Sequence, residues 1–189
     1  MVAGRAHHRP IRRRRAPIVG LAASASSVPE LQTLLGAITA DCDLSFVVAL
    51  SLDSGDKRVL PDRLGEVTAL KVAAAQDRQP LKPGHVYVLP REQLFTIDRG
   101  AFRLNHSLAR DDSHGRIDPF FRSLAADQGD RGVAIVLSGA GTEGAIGARE
   151  IKAAGGLAIA QTPESATDPD MPNSAIAIGA VDLVLRPEQ

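Results

Sequence analysis

A single cysteine, Cys42, stands in the whole chain, so no internal disulfide can form, and no metal-ligand spacing surrounds it. Nothing asks for an oxidising compartment, and the expectation is a protein of the reduced cytoplasm with no metal and no cofactor. Tryptophan is absent and aromatics make up 3% of residues, which leaves core packing to Ala, Val, Leu and Ile. No apolar run reaches the roughly 18 residues of a membrane-spanning helix, so no transmembrane segment is expected. Acidic residues are missing from the first fifteen positions, where Arg5, Arg9 and Arg12 to Arg15 supply six of the 22 basic residues. The rest of the chain then holds 16 basic against 22 acidic residues, although the total is formally neutral. Residues 1–16 read as a disordered, solvated basic arm, in preference to an anchor for nucleic acid or acidic membrane. A signal peptide fits less well, because the apolar stretch that follows is short and interrupted.

What the chain does have, from residue 17 onward, is short aliphatic runs alternating with helix-like segments. That is the pattern of a mainly parallel sheet between two helical layers, an α/β domain over 17–189. PIVGL is the first strand, and Val28, Leu31, Leu34, Leu35 and Ile38 line one face of the helix after it. Ser27 followed by Glu30 reads as a capping box, with Pro29 in the first turn. LSFVVALSL, residues 44–52, reads as a strand buried on both faces. LKVAAA and His85 to Leu89 follow as strands, and LFTIDRGAFRL as an antiparallel edge hairpin joined by Asp98-Arg99-Gly100. Asp118 and Pro119 read as cap and first residue of a helix through about Ala126. RGVAIVLSG is the strongest buried strand, and Gly155 ends the helix that follows it. LAIAQ, MPNSAIAIG and VDLVL complete the domain as strand, helix and strand.

Ligands of open parallel sheets bind beyond the carboxyl ends of the strands. Three strand-to-helix turns therefore carry the candidates: AASASS, LDSGD and SGAGTEG. A serine in the first turn, Ser24, faces the positive end of the following helix, where backbone N–H groups can hold an oxyanion. From local pattern alone, such serines are helix caps more often than nucleophiles, and Glu143 is a first-turn acid suited to the helix dipole. Asp53 occupies the place of a ribose-binding acid, but GLAASA lacks the glycines of a dinucleotide fingerprint.

Taken together, IVGLAASASSVPEL, LSFVVALSLD, PLKPGHVYVLP, RIDPFFRSLAADQGDRGVAIVLSGAGTEG, IKAAGGLAIAQTPESA and MPNSAIAIGAVDLVL resemble the catalytic domain of the chemotaxis protein-glutamate methylesterases. The likeness to this CheB-type family is greatest for versions fused to a receptor methyltransferase. It implies a Ser-His-Asp hydrolase that removes methyl groups from glutamate esters on the cytoplasmic helices of chemoreceptors. The implied partners are that receptor domain or fused methyltransferase, kinase or receiver modules. By the same resemblance the nucleophile falls on Ser24, the oxyanion donors on the N–H groups of Ala25 and Ala140, and the acid on Glu143.

This chain departs from the family pattern in three ways. The glycines of the family's G-A-S-x-G-G turn are Ala22, Ser26 and Ser27 here, and added Cβ atoms strain a turn that needs positive φ. The base of the family's Q-H pair falls on Ser51, a hydroxyl that takes no proton at neutral pH. Its aspartate is Glu143, one methylene longer. Of the five histidines, His7 and His8 lie in the arm, His85 begins a strand and His106 follows the hairpin. His114, beside Asp111 and Asp112, is the substitute base to consider. Two readings follow: a degenerate domain that acts by binding, and a hydrolase with a relocated base. A sensor using the space beside Ser51 is a third.

Overall fold

The computed structural model describes residues 16–51, 60–90, 93–105 and 115–189. The basic arm up to residue 15, Asp53, His106, Asp111, Asp112 and His114 lie outside the described residues. Seven parallel strands form one sheet in the order β3-β4-β2-β1-β7-β8-β9, with a separate antiparallel pair β5-β6. They are β1 (Ile18–Ala23), β2 (Ser45–Leu50), β3 (Lys71–Ala74), β4 (His85–Val88), β5 (Phe95–Asp98), β6 (Ala101–Leu104), β7 (Gly132–Val136), β8 (Leu157–Gln161) and β9 (Leu183–Leu185). The helices are α1 (Val28–Gly36), α2 (Leu60–Gly65), α3 (Ile117–Gln128), α4 (Ala145–Ala153) and α5 (Asp170–Ala177).

Side-chain alternation along the central strands divides the core into two layers. Val19, Leu21 and Ala23 of β1 join Phe46, Val48 and Leu50 of β2 against α1 and α2. Ile18 and Ala22 point the other way, with Val47 and Ala49, into a cluster with Phe120, Phe121, Ala148 and Met171 of α3, α4 and α5. Both faces of β1 and β2 are thus covered, which is why their sequences read as unbroken apolar runs. Gly20 lies between Ile18 and Ala22 on the α3 side, where a Cβ would stand 2.6 Å from a ring carbon of Phe121. The missing side chain lets the two phenylalanines reach the sheet.

Several local expectations meet their geometry in the turns and helix ends. Asp98 pairs with Ala101 across Arg99 and Gly100, whose φ values are 53° and 70°. Two positive φ values make this the mirror-image turn that suits the strand twist. The Asp127 carboxylate accepts the Gly100 N–H. Gly155, at φ 85°, ends α4, its N–H donating to Lys152 O and that of Gly156 to Ile151 O. That is a Schellman cap.

Two capping assignments are corrected. Ser27 holds the N-cap position of α1, but its hydroxyl does not cap that helix; it donates to Ser138 O. Glu30 instead reaches across the sheet end, its Oε1 accepting from Thr167 N–H and Thr167 Oγ1. Asp118 is the second residue of α3, whose N-cap is Arg116, and its Oδ1 accepts the Gly147 N–H of α4 at 2.7 Å. In each case a more distant backbone partner outcompetes the local one.

Candidate active site

The sheet changes winding direction at β1: β2 lies on one side and β7, far along the chain, on the other. The crevice at such a switch point is where open α/β sheets bind ligands. Ser24 immediately follows β1, Ser51 follows β2, and Ser138 to Ala140 follow β7. Backbone hydrogen bonds hold the three ends together, from Ser24 N–H to Ser138 O at 3.1 Å and from Ser51 N–H to Ala23 O at 2.9 Å. Since Ala23 and Leu50 are register partners, Ser24 and Ser51 continue adjacent strands about one strand spacing, roughly 4.8 Å, apart. Both are buried.

Ser24 Oγ contacts Ser26 Oγ at 2.7 Å and Ser27 Oγ at 2.8 Å. Each hydroxyl owns one proton, which fixes the direction of this chain. Ser27 spends its proton on the carbonyl of Ser138, which can only accept. Ser24 must therefore donate to Ser27, and Ser26 to Ser24. The proton of Ser24 is directed at another hydroxyl oxygen. Sequence reasoning saw Ser26 and Ser27 only as lost glycines or a cap, and Ser138 only as the first residue of the SGAGTEG turn. The three serines in AASASS were the available signal.

The altered glycines introduce no backbone strain. Among the described residues, only Arg78 and Arg99 are non-glycines at positive φ, and Ser24 itself is extended at φ −102° and ψ 172°. Ala22 points into the α3 core, away from the crevice. The N–H groups of Ala25 and Ala140 have no intramolecular acceptor among the described residues. Ala140 is exposed and Ala25 half-buried.

Ser138 locks the crevice from beneath. Its N–H donates to Gln161 Oε1 at 2.9 Å, and its hydroxyl accepts the Asp168 N–H at 2.8 Å. Gly139 N–H donates to Asp168 O, and Gly139 O accepts from Met171 N–H. The ends of β7 and β8 and the start of α5 are thereby one hydrogen-bonded unit.

Glu143 lies in the turn after β7, but its carboxyl group is folded against Gly115, so closely that a Cβ at that glycine would collide with Glu143 Oε1. It faces the N–H groups of Arg116 and Ile117 at the start of α3. Since Asp118 caps α4 in return, the two helices exchange carboxylates at their positive ends, the favourable location for negative charge. Burial nevertheless pushes the Glu143 carboxyl above its ordinary range, helped by the Asp118 charge and opposed by the two N–H groups and the Arg116 guanidinium. Burial raises Asp118 as well, against the N–H groups of Gly147, Gly144 and Ile146 and the charge of Arg122.

A raised carboxyl binds its proton in the folded chain at a pH where the unfolded chain has released it. Stability from these two groups therefore rises as pH falls through the interval between the raised and ordinary values, and levels off below it. Glu143→Gln with Asp118→Asn is expected to flatten that part of the curve. Urea unfolding at a series of pH values, read as the difference between the variant and the unmodified chain, checks this.

Among the described residues the one histidine is His85, at the start of β4, its Nδ1 2.9 Å from Pro83 O. It is level with Ser45 and thus with Ile18. Six residues of strand separate that level from Ser24, about 20 Å. His85 therefore cannot serve Ser24. Beside the end of β2, the cavity lined by Ala49, Leu50, Leu89, Pro90, Gln93 and Arg116 measures about 10 Å³, too little for more than one water. Among the described residues no group of three His, Cys, Asp or Glu side chains could hold a metal. No helix there is long and apolar enough to cross a membrane.

Comparison with known proteins bears on this arrangement. The family model described as CheB methylesterase matches residues 19–189. The chain belongs to the CheB methylesterase family. This CheB-type domain is 36% identical over 172 residues to protein-glutamate methylesterase/protein-glutamine glutaminase 3 of Burkholderia thailandensis, covering 89% of this chain and 48% of that protein. It is 30% identical over 174 residues to a similarly named protein of Carboxydothermus hydrogenoformans, covering 89% of this chain and 51% of that one. The chain thus spans about half the length of these relatives. A 104.1 kDa uncharacterized protein of Rhodobacter capsulatus is 40% identical over 122 residues, covering 65% of this chain and 13% of that protein. The crystal structure of the Thermotoga maritima CheB methylesterase catalytic domain superposes with a TM-score of 0.83 at 27% identity, covering 92% of this chain and 94% of that one. The sheet with its flanking helices is that domain's fold.

Proposed function

We propose that this CheB-type domain acts in chemotaxis signalling by binding, with its hydrolytic step silenced because the general base is Ser51. The observation that carries the reading is the one-way hydroxyl chain, in which the Ser24 proton goes to Ser27 Oγ. A hydroxyl does not take that proton at neutral pH, so among the described residues Ser24 meets no base that would make it a nucleophile. Glu143, turned toward the start of α3, has no imidazole to orient among the described residues. The N–H groups of Ala25 and Ala140 remain available to hold a carbonyl oxygen.

The partner in this reading is the cytoplasmic domain of a chemoreceptor, or a methyltransferase, kinase or receiver module fused to the domain. The match to a stretch of a much larger protein supports a module working within a longer assembly. The test is a paired measurement on a methylated receptor cytoplasmic fragment. Saturable binding is expected, with methanol released no faster than by Ser24→Ala. Release that Ser24→Ala abolishes would replace this reading by a working hydrolase with its base relocated, His114 being the first residue to mutate.

A further inference from the structure

Glu30, in the first turn of α1, is a carboxylate that the hydroxyl chain of the crevice does not use. It is 7% exposed and takes part in no ion pair among the described residues. Its Oε2 is buried without a hydrogen-bond donor among those residues. Its Oε1 accepts from Thr167 Oγ1 at 2.8 Å and from Thr167 N–H at 3.2 Å. Burying a charge without a counter-ion is costly. The contact made at that cost ties α1 to a residue 137 positions away.

From Thr167 a run of bonds leads into the crevice. The next residue, Asp168, donates its N–H to Ser138 Oγ at 2.8 Å, and its carbonyl accepts the Gly139 N–H at 2.9 Å. Ser24 N–H and Ser27 Oγ, at the entry to α1, both donate to Ser138 O. The peptide group joining Ser138 to Gly139 is therefore gripped at both edges, its carbonyl from the α1 side and its N–H by Asp168. Ala140, whose N–H is one of the two open to a carbonyl oxygen, follows directly. The other such N–H belongs to Ala25, in the turn that leads into α1. The Glu30–Thr167 contact closes these bonds into a ring that holds both donors.

We propose that Glu30 is a positioning residue whose Oε1, through Thr167, fixes the Ala140 N–H relative to the Ala25 N–H. Among the described residues it is the one side chain of α1 that hydrogen-bonds the segment 162–168; Gln32 and Thr33 bond Arg63 O and Pro29 O instead. Gln161 Nε2 separately donates to Ser165 O at 2.9 Å, so the segment stays folded on β8 when the tie to α1 is cut. What is then lost is its registration against α1. Donors held in advance spare a ligand the entropy of ordering them. The role asks for an acceptor and not for a charge, and it stands whether the domain binds or hydrolyses.

The experiment is backbone NMR of the unmodified chain and of Glu30→Leu, Glu30→Gln and Thr167→Val. It reads relaxation dispersion at the Ala25 and Ala140 amides and hydrogen exchange at those of Asp168 and Gly139. Glu30→Leu keeps the buried bulk and removes the acceptor. It should add microsecond-to-millisecond dispersion at both alanines and speed exchange at Asp168 and Gly139 about tenfold, the response of a local opening. Thr167→Val changes an exposed residue and leaves its N–H bond to Glu30, so the same response should appear at smaller size. Glu30→Gln retains Oε1 as an acceptor and should match the unmodified chain. Three results would overturn the proposal. One is Glu30→Leu with both alanine amides unchanged; another is Glu30→Gln behaving as Glu30→Leu does, which would make the charge the operative feature. The last is a silent Thr167→Val beside a responsive Glu30→Leu, which would move the effect off Thr167.

Discussion

Ser51→His combined with Glu143→Asp is expected to raise methyl-ester hydrolysis by about three orders of magnitude or more over the unmodified chain. The size follows from serine triads, where removing the base costs roughly a millionfold and leaves about 10³ to 10⁴ over water. The scaffold permits restoration because the backbone around Ser24 is unstrained and extended, and because Ser51 begins where β2 ends beside β1. An imidazole there would compete with Ser27 for the Ser24 proton, and unlike Ser27 it is a base. Shortening Glu143 withdraws its carboxylate from the N–H groups of Arg116 and Ile117, so Ser51→His alone should recover less than the pair. Methanol release from a methylated receptor fragment measures the gain. A folded double variant with no gain would mean that more of the site has been lost than base and acid.

Gly20→Val is expected to destabilise the fold by about 3 kcal/mol, the upper range for overpacking a core. The new Cβ alone would stand 2.6 Å from Phe121 Cε1, 3.0 Å from Phe120 Cε1 and 3.1 Å from Leu124 Cδ2. All three side chains are fully buried. Relief requires α3 to retreat from the sheet, and α3 also receives the Glu143 carboxylate and supplies Asp118 to α4. Chemical denaturation should show a lower midpoint, with Phe121→Leu in the same chain recovering part of the loss through direct contact. A midpoint within error of the unmodified chain would contradict the packing described for this face.

The elements most legible in the sequence were those decided by their own residues. Phe46 to Leu50 of β2 are apolar throughout because both faces of the strand are covered, and Gly155 ends α4 because a left-handed cap favours glycine. The Arg99-Gly100 turn was equally local. The misread features were those whose partners lie far along the chain. Ser27 looks like a helix cap until Ser138 O, 111 residues away, arrives as a better acceptor. Asp118 looks like an N-cap until α4 presents the Gly147 N–H. Glu143 followed from the family pattern, but its inclination toward Gly115 depends on helix packing that no spacing encodes. The position of Ser24 and Ser51 at neighbouring strand ends was readable from resemblance, whereas the direction of the hydroxyl chain needed the geometry.

The most direct test of the silenced site is chemical. An activated serine reacts with a fluorophosphonate probe because a neighbouring base removes its proton, while a serine whose proton is held by another hydroxyl stays inert. Intact-mass and peptide analysis of the unmodified chain after prolonged exposure should find Ser24 unlabelled. A stoichiometric adduct on Ser24 that disappears in Ser24→Ala would show that a base reaches it and would contradict the account.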